Sequence, residues 1–134
     1  MEEQLKDFEY EQVSRSEGKS KKYPYGTIIK IPKDNTTYFL VALSDFDSNN
    51  HAFCSAENYF SVLTKLASYI GNNSEGKTVS MPAIGTGLSR INSSLNVCIR
   101  NIVQVFRIVN PPIIGGVQIV IEESSCWKVD MRII

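Results

Sequence analysis

Two stretches of helical periodicity alternate with short runs of β-branched residues, and this alternation constrains the fold more than any other feature of the chain. Apolar residues recur at Tyr59, Phe60, Leu63, Leu66, Ala67 and Ile70, and again at Leu95, Ile99, Ile102, Val103 and Phe106. That is the one-face spacing of amphipathic helices. Ser55 stands before the first as an N-cap and Gly71 follows it as a stop; the second starts near Ser93 and ends at Asn110-Pro111-Pro112. Strand-like runs flank both. Thr27-Ile28-Ile29-Lys30-Ile31 and Tyr38-Phe39-Leu40-Val41-Ala42-Leu43 are joined by turn residues at Lys33-Asp34-Asn35-Thr36, which predicts a hairpin. Val79-Ser80-Met81-Pro82-Ala83-Ile84 lies between the helices, Val117-Gln118-Ile119-Val120-Ile121 follows the second, and residues 129–134 add a short edge strand. The nearly continuous apolar run at 38–43 predicts a strand buried on both faces.

The order β-β-α-β-α-β contains two successive βαβ crossovers. It predicts right-handed connections, a mostly parallel mixed sheet and helices on its faces, an α/β fold of three layers. Ligands of such sheets bind beyond the carboxyl ends of the strands. Three segments meet that description: residues 44–54, 83–91 and 122–127.

Composition narrows the class. The 134 residues suit one domain, and fourteen Lys+Arg balance fourteen Asp+Glu. Zero net charge argues against a nucleic-acid coat or a basic membrane-surface protein. No apolar stretch approaches the roughly 18 residues of a membrane span, and Met1-Glu2-Glu3 does not open a signal peptide, so a cytoplasmic protein is expected. In that compartment Cys54, Cys98 and Cys126 stay reduced, and the sequons at Asn35, Asn72 and Asn92 are idle. No zinc-ligand spacing occurs, so neither a metal nor a cofactor is expected. Within the neutral total, acidic residues 2–11 precede basic residues 15–22. Residues 1–22 read as a short helix up to Ser14 and a basic linker, and residues 23–134 as the folded domain.

Residues 71–78, Gly71 through Gly76-Lys77-Thr78, satisfy the Walker A pattern. That chemistry needs a strand before the loop and a helix after it, so that the helix N-terminus faces the phosphate. Here the order is reversed, which favours a helix-to-strand turn over a nucleoside triphosphate site.

The run Ala83, Ile84, Gly85, Thr86, Gly87, Leu88, Ser89 and Arg90 lies at a strand's carboxyl end and leads toward a helix. Its glycines let backbone approach a ligand closely and gather several N–H groups into one concavity, while Thr86, Ser89 and Arg90 add donors and charge. Such a loop suits a diphosphate, and a plain strand-to-helix turn explains it as well. Asp45, Asp47 and His51 share a loop at the same edge. A carboxylate there orients water or a ribose hydroxyl, or simply makes a turn. Trp127 and Phe46 are candidates to stack on an adenine or to cover the sheet edge.

The Pro82-to-Leu88 run resembles the second phosphate-binding loop of macro domains, modules that bind ADP-ribose and related NAD-derived metabolites. Lys22-Tyr23-Pro24-Tyr25-Gly26-Thr27, the run from Tyr38 to Asp47, and Gly85 to Ile91 extend the resemblance over residues 22–121. The wider pattern is similar to an uncharacterised bacterial family of macro-like domains met in defence and TIR-linked contexts. It implies a three-layer αβα domain that holds a diphosphate at residues 83–90. The Asn-rich motif and glycine triplet that begin macro domains have no counterpart, so the chain is either the later part of a longer domain or a minimal form. A second copy or an upstream segment would then complete it. If the protein is an enzyme, the resemblance implies an ADP-ribosyl or NAD-metabolite hydrolase, with Asp45 and Asp47 as the carboxylates at hand. The competing expectation is a protein-interaction scaffold with a vestigial pocket.

Overall fold

Ser55 is extended, and its hydroxyl accepts a hydrogen bond from the Asn58 N–H, which starts helix α1 (Ala56–Asn73). Ser94 repeats the device for α2 (Leu95–Val109), accepting from the Val97 N–H. Each cap satisfies a backbone donor that the first helical turn leaves without a partner. Asn110, in the left-handed conformation, closes α2 before the two prolines. Gly71 does not stop α1. The helix runs on to Asn73, and Ser74 caps it before Glu75 and Gly76 turn the chain with positive φ.

The computed structural model describes residues 1–14, 18–86 and 93–134. Before the helices come β1 (Glu11–Gln12), β2 (Lys21–Lys22), β3 (Ile28–Lys33), β4 (Thr36–Val41), β5 (Asp45–Phe46) and β6 (Ala52–Phe53). Strand β7 (Val79–Pro82) lies between the helices and β8 (Val117–Val120) follows them. The described strands pair as four two-stranded ladders: β1–β2, β3–β4 and β5–β6 antiparallel, and β7–β8 parallel. The fold is thus mixed α/β with the expected hairpin and one parallel pair. A continuous three-layer sheet is not formed among the described residues.

One cluster unites these parts. Tyr59, Leu63, Leu66, Ala67 and Ile70 of α1 and Ile102 and Val105 of α2 pack with Ile28 and Met81. Phe39 meets the Tyr69 ring edge-on at 5.4 Å between centroids. The two ladders therefore offer the same helix pair one face each. Along β4 exposed and half-buried residues alternate, with Tyr38 49% and Leu40 42% exposed. This corrects the expectation of a doubly buried strand: its apolar run serves one helical layer, and Tyr38 and Leu40 face away from it.

The two ends of the chain also depart from the sequence reading. In place of a helix up to Ser14 there is one 3-10 turn, Glu3–Leu5, and then the β1–β2 ladder. Leu5, Phe8 and Val13 make too thin an apolar stripe to hold so short a helix, which is marginal in water. The ladder instead sets Glu11 opposite Lys22, and Lys21 lies 4.4 Å above the Tyr10 ring, which packs on Tyr23. Residues 129–134 form no strand: Met131–Ile133 is a 3-10 turn begun by the Asp130 carboxylate, which accepts from the Arg132 N–H.

Candidate functional site

The carboxyl ends of β4 and β7 lie at the same end of the fold. Gly26, which bonds the Ala42 carbonyl past the end of β4, lies against Lys65. Phe39, further back on β4, meets Tyr69, and Ile84 beyond β7 meets Tyr59. Helix α1 therefore runs opposite to both strands, and β4 and β7 are parallel.

Beyond β7 the chain turns at Ala83, Ile84, Gly85 and Thr86. Gly85 is buried and has φ +106°, a conformation open to glycine and strained for other residues. Three successive carbonyls are occupied inside this turn. The Ile84 N–H donates to the Pro82 carbonyl at 2.8 Å, Thr86 donates its hydroxyl to the Ala83 carbonyl at 2.9 Å, and the Tyr59 hydroxyl donates to the Ile84 carbonyl at 2.7 Å. Carbonyl oxygens repel phosphate oxygens, so an anion cradle needs them turned inward. Of the candidate run, Gly87, Leu88, Ser89 and Arg90 lie outside the described residues.

Tyr59 is the residue that sequence reasoning missed. Its spacing places it among the core-facing residues of α1, and it is 1% exposed. Burial pushes its phenol far above the usual range, with the neighbouring Cys98 thiol adding to the effect, so the hydroxyl stays a donor. A tyrosine rather than phenylalanine at a core-facing helix position was the available signal, because a buried hydroxyl needs a partner. Burial likewise raises the Cys98 and Cys54 thiols, which makes both poor nucleophiles.

The carboxylate loop forms the β5–β6 hairpin. Asp45 pairs with Lys22, and its Oδ1 accepts its neighbour Phe46 N–H. Asp47 accepts from the backbone N–H groups of Asn49 at 2.8 Å and His51 at 2.9 Å. These bonds, the one to His51 foremost, hold Asp47 below the usual carboxylate range. The stabilisation is complete above the ordinary carboxylate pKa and disappears as pH falls through the lower folded-state value. The Asn49 and His51 amide resonances should thus shift together on acidification, with a midpoint below that of a free aspartate. A small cavity of about 150 Å³ lies beside Asp45, lined by Lys22, Tyr23, Tyr25, Ser44 and Phe46 among others. Phe46, on β5, is thus one wall of this cavity. Trp127 is largely exposed on the 3-10 turn Glu123–Lys128, with its indole N–H on the Ser124 carbonyl.

The Walker-like segment has the wrong context for a phosphate. Residues 71–73 are helical, β7 leads out, and Thr78 donates its hydroxyl to the Gly115 carbonyl at 2.8 Å. Exposed Lys77 lies 4.0 Å from Glu75. Replacing Lys77 by alanine is expected to leave calorimetric titrations with ATP and GTP unchanged. Among the described residues no three His, Cys, Asp or Glu side chains cluster as a metal site, and no helix is long and apolar enough to cross a membrane.

A parallel pair joined through α2, with a glycine turn past the first strand's carboxyl end, is a βαβ unit of the α/β class. The family comparison is more specific. The model described as "Thoeris protein ThsA, Macro domain" matches residues 1–122, and the chain belongs to that macro-domain family. No curated protein matches the chain.

Proposed function

We propose that this chain is a binding module for ADP-ribose or a related NAD-derived nucleotide. The diphosphate is held by the turn of Ala83, Ile84, Gly85 and Thr86, continued by Gly87, Leu88, Ser89 and Arg90. The observation that carries the reading is the glycine turn itself. It stands at the carboxyl end of a parallel strand, Gly85 has left-handed backbone, and the carbonyls of Pro82, Ala83 and Ile84 each accept a hydrogen bond from within the protein. Membership of a macro-domain family supports the ligand class. Phe46, which lines the cavity beside Asp45 together with Tyr23 and Tyr25, is the residue assigned to stack on the base in this reading.

Hydrolysis is not part of the proposal. Asp47 spends its carboxylate on two backbone amides, and Asp45 is bound to Lys22. The test is calorimetric titration with ADP-ribose and its cyclic isomers. Binding heat is expected with at least one, and Gly85→Val should abolish it, because a β-branched residue cannot adopt φ near +106° without strain. No heat with any of these nucleotides would leave the turn without a ligand and favour a scaffold with a vestigial pocket.

A further inference from the structure

The chain leaves β8 at the same edge as the glycine turn. Pro82 and Val120 are partners in the parallel register, so the segment after Ile121 starts beside the turn that begins at Ala83. That segment, residues 122–130, is a strap with two fixed ends. One end is β8. The other is Asn96, whose side-chain amide donates to the Lys128 carbonyl at 2.7 Å and whose Oδ1 accepts the Asp130 N–H at 2.8 Å. A side-chain amide that makes both bonds to one backbone stretch holds it as a neighbouring strand would. Asn96 lies in the first turn of α2, and α2 carries the chain from the carboxyl end of β7 back to the amino end of β8. That first turn therefore stands at the carboxyl edge, and the strap runs along the edge from β8 to α2.

The strap displays Trp127. Its ring is 79% exposed and yet is not loose. The indole N–H donates to the Ser124 carbonyl at 2.9 Å, the Lys128 ammonium stands 5.4 Å from the ring centroid, and the carbonyl that Asn96 holds belongs to the next residue. A ring fixed before contact loses little freedom on meeting a partner.

Its place along the edge decides what it meets. β4 and β7 stand side by side over Leu66 and Ile70, and β8 pairs with the other edge of β7. The order is then the Phe46 cavity past β4, the glycine turn past β7 and Trp127 past β8. A nucleotide with its base in the first and its diphosphate at the second reaches the third with the ribose beyond the diphosphate. We infer that Trp127 stacks on the C–H face of that far ribose, and that Asn96 is the positioning residue that holds the strap where this contact forms. The inference rests on the reading that the turn after β7 holds the diphosphate. It makes the strap the part of the site that tells ADP-ribose from ADP, which ends at the diphosphate.

The test compares these two ligands on the full chain, with Trp127 as reporter because it is the one tryptophan. ADP-ribose should change its emission and ADP should not, while both shift the amides of Gly85 and Thr86. Trp127→Ala should weaken ADP-ribose about tenfold in calorimetry and leave ADP unchanged, the scale of one lost ring contact. The ring is exposed, so this variant keeps the fold. Asn96→Ala should show the same loss, and the double variant should lose no more than either single one, because Asn96 acts through the ring. A merely structural Asn96 would lower the melting temperature and leave the ratio of the two affinities unmoved, which overturns its role. Trp127→Ala that binds both ligands normally, or weakens both alike, overturns the contact and leaves the diphosphate reading standing. A chain in which neither ligand shifts Gly85 overturns both.

Discussion

Gly115→Ala is expected to be the most damaging single methyl addition to this chain. A Cβ at Gly115 would stand 2.3 Å from the Lys77 carbonyl carbon and 2.5 Å from both the Lys77 oxygen and the Thr78 nitrogen. All three are backbone atoms, so no side chain can swing aside. The close approach is where β7 and β8 begin to pair: the Thr78 hydroxyl holds the Gly115 carbonyl, and the Val79 N–H holds the Gly116 carbonyl. Pushing the strands apart there loosens the parallel ladder on which the glycine turn stands. Overpacking of this kind costs about 3 kcal/mol, a fall of roughly 10 °C in melting temperature for a domain of this size. A melting temperature within a degree of wild type would show that the Gly115–Lys77 contact does not order the ladder.

Tyr59→Phe should separate binding from packing. The ring remains, so the core of α1 keeps its shape, and what is lost is the hydroxyl that holds the Ile84 carbonyl. Leaving this partly buried carbonyl without its donor costs about 1 kcal/mol of stability. If that carbonyl is freed to turn toward the diphosphate, ADP-ribose affinity should also fall, by about tenfold for 1.4 kcal/mol. Denaturant unfolding measures the first loss and calorimetry the second. A variant that is less stable yet binds normally would make Tyr59 structural only.

The helical layer was legible from residue spacing, because periodicity and capping are local. Ser55 and Asn110 stand at the helix ends where the sequence puts them. Gly71 misled because nothing in a single sequence says that Asn72, Asn73 and Ser74 continue the turn. The strands were legible as strands but not in their surroundings. Tyr38 and Leu40 look like core in sequence and are exposed because no layer covers that face among the described residues. Residues 129–134 read as a short edge strand, yet a strand needs an edge to pair with, and Met131–Ile133 form a 3-10 turn instead. The carboxylates were the hardest to assign. Asp45 and Asp47 are chemically capable, and only their partners, Lys22 for one and two backbone amides for the other, reveal how each is engaged.

The central claim is that the turn after β7 is where this macro-domain chain meets its nucleotide. Backbone amide chemical shifts recorded through a titration with ADP-ribose test it most directly. The account predicts saturable shifts at Ala83, Ile84, Gly85 and Thr86, with smaller changes at Phe46 and none at Gly76, Lys77 and Thr78. Shifts confined to residues 76–78, or no shift anywhere in the turn after β7, would contradict it.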